Sequence, residues 1–200
     1  MMDYEEMKDA LSRRLKRSRY EHSLGVADTA AFLARRFGED EARARTAGLL
    51  HDCAREFPNE AMRAEADARG VSYGAVEASM PLLLHAPLGA LLAREKYGAE
   101  DEAVLRAIAR HTVGGASMTA LDKIVYFADM VEPTRAYPGV EALRRLMREA
   151  DLDEMTLAGL TRSIAFVLEK GHLIHPDTVL ARNELLLAGK ASRGASGEAR

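Results

Sequence analysis

A chain of 200 residues with 48% hydrophobic and 30% charged residues is long enough to bury one sizeable core and too apolar to be a disordered protein. Its formal net charge of -3 excludes a global attraction to nucleic acid or to an anionic membrane, so an anionic ligand has to be held by local arginines or by metal. The single cysteine, Cys53, excludes an intrachain disulfide and agrees with a reducing compartment.

The opening residues MMDYEEMKDALSRRL mix charges along an amphipathic stretch and do not form a basic segment followed by an apolar one, so no signal peptide is expected. No apolar run approaches the roughly 20 residues that span a bilayer. The expected location is the cytoplasm, with neither membrane nor nucleic acid as a partner.

Apolar residues recur three and four apart and almost no run alternates at period two, which predicts an all-α fold, a bundle of about eight helices without sheet. The first helix covers Tyr4 to Leu15. The second starts near Tyr20 and runs to Phe37 with Gly38 as its stop; His22, Val26, Ala30, Leu33 and Phe37 share one face, so His22 points inward. The third, Glu41 to Ala54, places Ala47, Leu50, His51 and Ala54 on one stripe and Asp52 about 100° away. Pro58 to Gly70 has the pattern of a further polar helix, and VSYGAVEASMP that of a loop.

His85 precedes Pro87, which suits a first helical turn, and Leu88, Leu91 and Leu92 continue inward as far as Gly98. Asp101 can cap a helix with Val104, Ala107, Ile108 and His111 on its buried face. Thr119 and Asp122 form a capping pair for a helix carrying Leu121, Ile124, Val125 and Ala128, with Asp129 at the edge of the stripe and Pro133 beyond its end. Leu157, Leu160, Ile164, Val167 and Leu168 mark a helix closed by Gly171, and a last one follows Pro176. One domain is expected over residues 1–188, with GKASRGASGEAR (189–200) as a disordered tail.

Four helices or helix starts thus each deliver a histidine, three of them on apolar stripes, and burying that many imidazoles without partners is costly. Neutral imidazole and carboxylate together suit divalent metals. If they converge, Asp52 is the natural bridge between two ions, with His22, His51 and Asp129 completing the first. Ions about 3.5–4 Å apart clamp phosphoryl oxygens and lower the pKa of a shared water toward roughly 7.

The blocks RYEHSLGVADTA, GLLHDCAREFP, LLLHAPLGALLA, ARHTVGG and LDKIVYFADMVEPTR, in this order between Arg19 and Arg135, resemble the HD-superfamily metal-dependent phosphohydrolases. More narrowly, the ADMVEPTR ending is similar to that of the YqeK-type symmetrical bis(5'-nucleosyl)-tetraphosphatases. The resemblance implies an HD-domain helical bundle with two divalent metal ions, iron foremost, with manganese and zinc as alternatives. It implies metal-activated hydrolysis of diadenosine tetraphosphate to two ADP. The family's metal positions fall on His22, His51, Asp52, His85, His111 and Asp129, none of them substituted. Asp52, His85 and His111 are the residues assigned to the reaction. Nucleotide contacts are implied for Arg19, Arg55, His85, His111, Thr112 and Arg135, and for the loop from Gly171 to Asp177 with His172 and His175.

Arginine forks suit phosphate, although a lone arginine is more often a solvated surface residue; His172 and His175 suit closure of their loop equally well. Tyr20, Tyr126 and Tyr137 suit either stacking on adenine or the core, Lys123 suits the surface, and Cys53 suits packing. Two other functions compete: a phosphohydrolase acting on another nucleotide, and a non-catalytic nucleotide-sensing module. A monomer and a homodimer are equally compatible with the pattern, since an interface face and a core face look alike in sequence.

Overall fold

The computed structural model describes residues 2–197, with side chains through residue 189. Among these residues it is all-helical, in the order α1 (Tyr4–Ser12), α2 (Arg17–Phe37), α3 (Glu41–Leu50), α4 (Met62–Ala68), α5 (Ala75–Ser79), α6 (His85–Tyr97), α7 (Glu102–Arg110), α8 (Ala120–Val131), α9 (Val140–Glu149), α10 (Leu152–Glu169) and α11 (Pro176–Gly197). Short 3-10 turns occupy Cys53–Glu56, Asn59–Ala61 and Pro81–Leu84.

The expected punctuation is largely present. Gly38 and Gly98 end α2 and α6 in the left-handed conformation, with φ of 73° and 68°. Asp101 caps α7 through Ala103 and Val104, and Thr119 and Asp122 form a reciprocal capping box at α8.

There are eleven α-helices among the described residues where about eight are expected. The additions are short or charge-diluted: α5 has only 5 residues inside the segment expected to be a loop, and α9 interleaves Val140, Leu143, Leu146 and Met147 with arginines and glutamates. α10 begins earlier than its apolar stripe suggests because Asp151 caps it by accepting from the Glu154 N–H. The α11 backbone continues through 189–197, part of the expected tail; residues 198–200 lie outside the described residues. No helix among the described residues is long and apolar enough to cross a membrane.

The centre of the bundle is α2, which packs on α3 and α8, with α7 against α3, α6 and α8, and α10 paired with α11 over α8. The close crossing of α2 and α3 depends on Gly48: a Cβ there would lie 2.8 Å from Ala27 Cα. Val26, Ala30, Leu33, Ala47, Leu50, Leu88, Ala107, Ile108, Ile124 and Ala128 are fully buried in one core. Removing such side chains from water drives assembly. One end of this core is polar, and all four helix-borne histidines expected to converge lie there.

Candidate metal centre

The third helix does not run through Asp52. α3 ends at Leu50, His51 is its C-cap, and Asp52 has left helical geometry (φ -104°, ψ 16°) before the 3-10 turn begins. The expected continuous helix to Ala54 is therefore corrected. The break turns the Asp52 carboxylate into the bundle, where the side chain is almost completely buried. His85 is the first residue of α6, and His111 is the C-cap of α7.

These residues converge. His22 Nε2 lies 3.2 Å from His51 Nε2 and 3.0 Å from Asp129 Oδ1, while His85 Nε2 lies 3.0 Å from His111 Nε2. Asp52 stands between the two pairs. Its Oδ2 is 3.6 Å from His51 Nε2 and 3.9 Å from His22 Nε2; its Oδ1 is 3.3 Å from His85 Nε2 and 3.9 Å from His111 Nε2. Two triads of donor atoms, His22–His51–Asp129 and His51–Asp52–His111, each lie within 4.8 Å of one another, so His51 serves both.

The imidazoles are oriented by a repeated local device. His51 Nδ1 donates to the Gly48 carbonyl at 2.7 Å, His85 Nδ1 to Leu82 at 2.5 Å and His111 Nδ1 to Ile108 at 2.7 Å. Each acceptor is three residues earlier. A carbonyl can only accept, so the proton is fixed on Nδ1 and the Nε2 lone pair faces the cluster. Burial pushes His51 down, and burial together with a neighbouring imidazole lowers His85 and His111 to about 4, which keeps them neutral near pH 7.

Lone pairs of neutral His85 and His111 facing each other at 3.0 Å repel. A cation between them reverses the sign, so the donor set fits divalent metal on its own geometry. Asp52 and Asp129 supply negative charge. Burial opposes their ionisation, but the imidazoles around Asp52 and the His22 bond to Asp129 outweigh it and hold both carboxyls below the usual range.

His22 is oriented differently. It lies inside α2, where helix carbonyls already accept backbone N–H groups, and its Nδ1 donates instead to Glu132 Oε1 at 2.9 Å. Burial lowers the His22 pKa, and the bonds to Asp129 and Glu132 more than reverse this. Glu132 is fully buried. It also accepts from the Thr134 N–H at 2.7 Å and the Thr134 hydroxyl at 2.5 Å. Gly25 makes room for it: a Cβ there would fall 2.5 Å from Glu132 Oε2. Sequence reasoning missed Glu132 although it stands inside ADMVEPTR, three residues after Asp129.

Arg19 donates to Asp52 Oδ2 at 2.6 Å, and Arg135 donates to the Asp129 side chain and, at 2.8 Å, to its carbonyl. The Thr112 hydroxyl lies 3.2 Å from His85 Nε2 and 3.1 Å from His111 Nε2. Arg55 does not touch the cluster. It donates to Asn59 at 3.2 Å, shares a cleft of about 630 Å³ with Arg19, and has its pKa lowered by burial and by the Arg19 charge.

His172 and His175 stand apart from the metal-type donors. His175 Nδ1 accepts the Asp177 N–H at 3.1 Å and its Nε2 donates to Glu77 at 3.1 Å, tying the loop to α5. His172 lines an apolar cavity of about 250 Å³ together with Thr112. Tyr126 is core, Lys123 pairs with Asp153, and buried Cys53 donates to the Gly89 carbonyl at 3.2 Å.

The family model for the HD domain matches residues 19–134, a stretch that encloses all six donors of the cluster. The chain belongs to the HD domain family. Two relatives named symmetrical bis(5'-nucleosyl)-tetraphosphatase are similar over most of their length. That of Bacillus subtilis is 38% identical over 185 residues, covering 92% of this chain and 98% of the relative. That of Halalkalibacterium halodurans is 40% identical over 180 residues, covering 88% and 93%. A crystal structure described as a predicted HD superfamily hydrolase involved in NAD metabolism, from Clostridium acetobutylicum, superposes with a TM-score of 0.88 at 40% identity, covering 94% of this chain and 99% of that one. The HD domain implies divalent-metal binding, and the buried histidine and aspartate cluster is a donor set that could hold such an ion.

Proposed function

We propose that this HD chain hydrolyses diadenosine tetraphosphate and related dinucleoside polyphosphates symmetrically, to two ADP, at a dinuclear metal centre in the cytoplasm. The observation that carries the metal half of this reading is the placement of Asp52, one carboxylate oxygen toward the His22–His51 pair and the other toward the His85–His111 pair. The names of the relatives support the substrate class.

His22, His51, Asp129 and Asp52 Oδ2 would hold one ion; His85, His111 and Asp52 Oδ1 would hold the other. Iron comes first among the candidates, with manganese and zinc as alternatives. When bound, such a pair supplies Lewis acidity toward phosphoryl oxygens and lowers the pKa of the attacking water. Arg19 and Arg135, each braced on a donor carboxylate, present their remaining N–H groups to the polyphosphate, and Arg55 and the Thr112 hydroxyl add donors at either end. The water oxygen bonds to one of the two central phosphorus atoms, the bridging oxygen leaves with the other, and the two products are identical.

Incubation of metal-loaded protein with diadenosine tetraphosphate, followed by anion-exchange chromatography, tests the reading. ADP alone is expected. ATP plus AMP would overturn symmetrical cleavage, and binding without turnover would point to the sensing module. Faster hydrolysis of another nucleotide in a parallel panel would move the substrate class.

A further inference from the structure

We propose that the cleft on the Asp129 side of the centre is a second nucleoside diphosphate subsite, so that the two halves of the dinucleotide lie on opposite sides of α10. This rests on the dinucleotide reading above and deepens it. The cleft has a volume of about 580 Å³ and is lined by Asp129, Arg135, Tyr137, Arg162, Phe166 and Lys170. That volume is in the range of small-ligand sites. Since Asp129 lines it, the cleft opens directly on the His22–His51 end of the centre. The apolar cavity of about 250 Å³ beside Thr112 opens on the other, His85–His111 end. Ser163 and Phe166 line both, so α10 is a partition between two openings, one at each end of the donor cluster.

The lining suits a nucleoside diphosphate. Phe166 is 49% exposed, unusual for so large an apolar ring, and Tyr137 is held in place by donating its hydroxyl to the Met130 carbonyl at 2.8 Å. Exposed aromatic faces are stacking surfaces for any base. The cations around them are incompletely paired. Arg162 reaches Glu169 only at 3.5 Å, and Lys170 has no carboxylate partner among the described residues; its ammonium lies 5.9 Å from the Phe166 ring. A diphosphate leaving the centre past Arg135 meets both.

The Arg19–Arg55 cleft is the other candidate for this half, and its aromatic residue is already used. Phe57 carries Lys96 at 5.1 Å and Arg69 at 5.8 Å over its ring. Phe166 carries one such cation, Lys170, and is the more exposed ring.

The consequence is selectivity for a two-headed substrate. With a nucleoside on each side of α10, the atoms left over the metals are those of the middle of the polyphosphate, whereas a mononucleotide fills one side only.

The test is calorimetric titration of the metal-loaded protein with ADP, alongside steady-state kinetics on diadenosine tetraphosphate. The wild type should bind two ADP per chain. The double variant Arg162→Glu/Lys170→Glu should bind one, and its KM should rise about tenfold, well beyond any change in kcat. Arg162 is half-buried and Lys170 is exposed at the end of α10, and an unchanged melting temperature would verify folding; Lys170→Glu alone, at a residue that lines only this cleft, serves as a second variant with a smaller rise in KM. One ADP per wild-type chain, or two per double-variant chain with KM unmoved, would overturn the second subsite. Failure of the wild type to release ADP from diadenosine tetraphosphate would overturn the proposed function instead.

Discussion

The Glu132 carboxylate and the His22 imidazole, 110 residues apart in sequence, meet at 2.9 Å with both side chains buried. The other three histidines of the cluster take an acceptor from their own helical turn. His22, inside α2, does not, and the chain brings in a carboxylate from the end of α8 to do what a carbonyl does elsewhere. An ionised acceptor also raises the basicity of the coordinating nitrogen, which a carbonyl does only weakly.

Replacing Glu132 by Gln should therefore weaken metal binding more than it disturbs the fold. A loss of about 10–100-fold in affinity is expected, the usual range for outer partners of a coordinating histidine. Competition with a chromophoric chelator measures it. Gly25→Ala, which pushes a methyl group against Glu132 Oε2, should shift affinity the same way; wild-type affinity in both variants would show that His22 does not depend on this contact.

Asp52 faces both histidine pairs, so Asp52→Ala should lower turnover by orders of magnitude and reduce the metal content measured by elemental analysis. A variant that keeps full metal content and turnover would remove Asp52 from the bridging position. Wild-type turnover should vanish on chelation and return on addition of iron or manganese.

Metal should also stabilise the fold. A ligand at about 100 times its Kd adds roughly 2.7 kcal/mol when it binds only the folded state, and here the folded state alone brings the facing lone pairs together. The melting temperature of the chelated protein should fall by several degrees and recover on reloading. An identical melting temperature with and without metal would contradict this.

Gly48→Leu should separate α2 from α3, since the first added carbon already lies 2.8 Å from the Ala27 backbone. Overpacking of this kind costs about 1–3 kcal/mol, and chemical denaturation would measure it. Metal affinity should fall as well, because His22 rides on α2 and His51 on α3.

Cys53 should be inert in the folded protein. Burial disfavours its thiolate, and its Sγ donates to the Gly89 carbonyl. Titration with a thiol reagent should show negligible reaction until denaturant is added; a fast stoichiometric reaction would contradict its packing role.

Much of this architecture is legible in the sequence because its signals are local. The spacing of His22, Val26, Ala30 and Leu33 fixes an inward face on α2, and the capping pair Thr119 and Asp122 and the stops at Gly38 and Gly98 depend on near neighbours. What escaped depends on distant ones. Nothing close to Glu132 says that its carboxylate will meet residue 22. The break after Leu50 leaves no periodic trace, since two residues outside a helix do not disturb a stripe ten residues long. His172 and His175, expected as nucleotide contacts or as loop-closing residues, both line the apolar cavity beside Thr112, and the bond from His175 to Glu77 is again one between distant residues.

The carbonyl-anchored histidines have a consequence for synthesis of the chain. A nascent polypeptide that has emerged as far as α7 already contains His51, His85 and His111, each with its orienting carbonyl three residues behind it. It contains neither Asp129 nor Glu132. Competence to retain an ion at the His22 end therefore arrives with α8, and a truncation before residue 129 removes Asp129 and Glu132 together with part of the helix on which α2 and α7 pack.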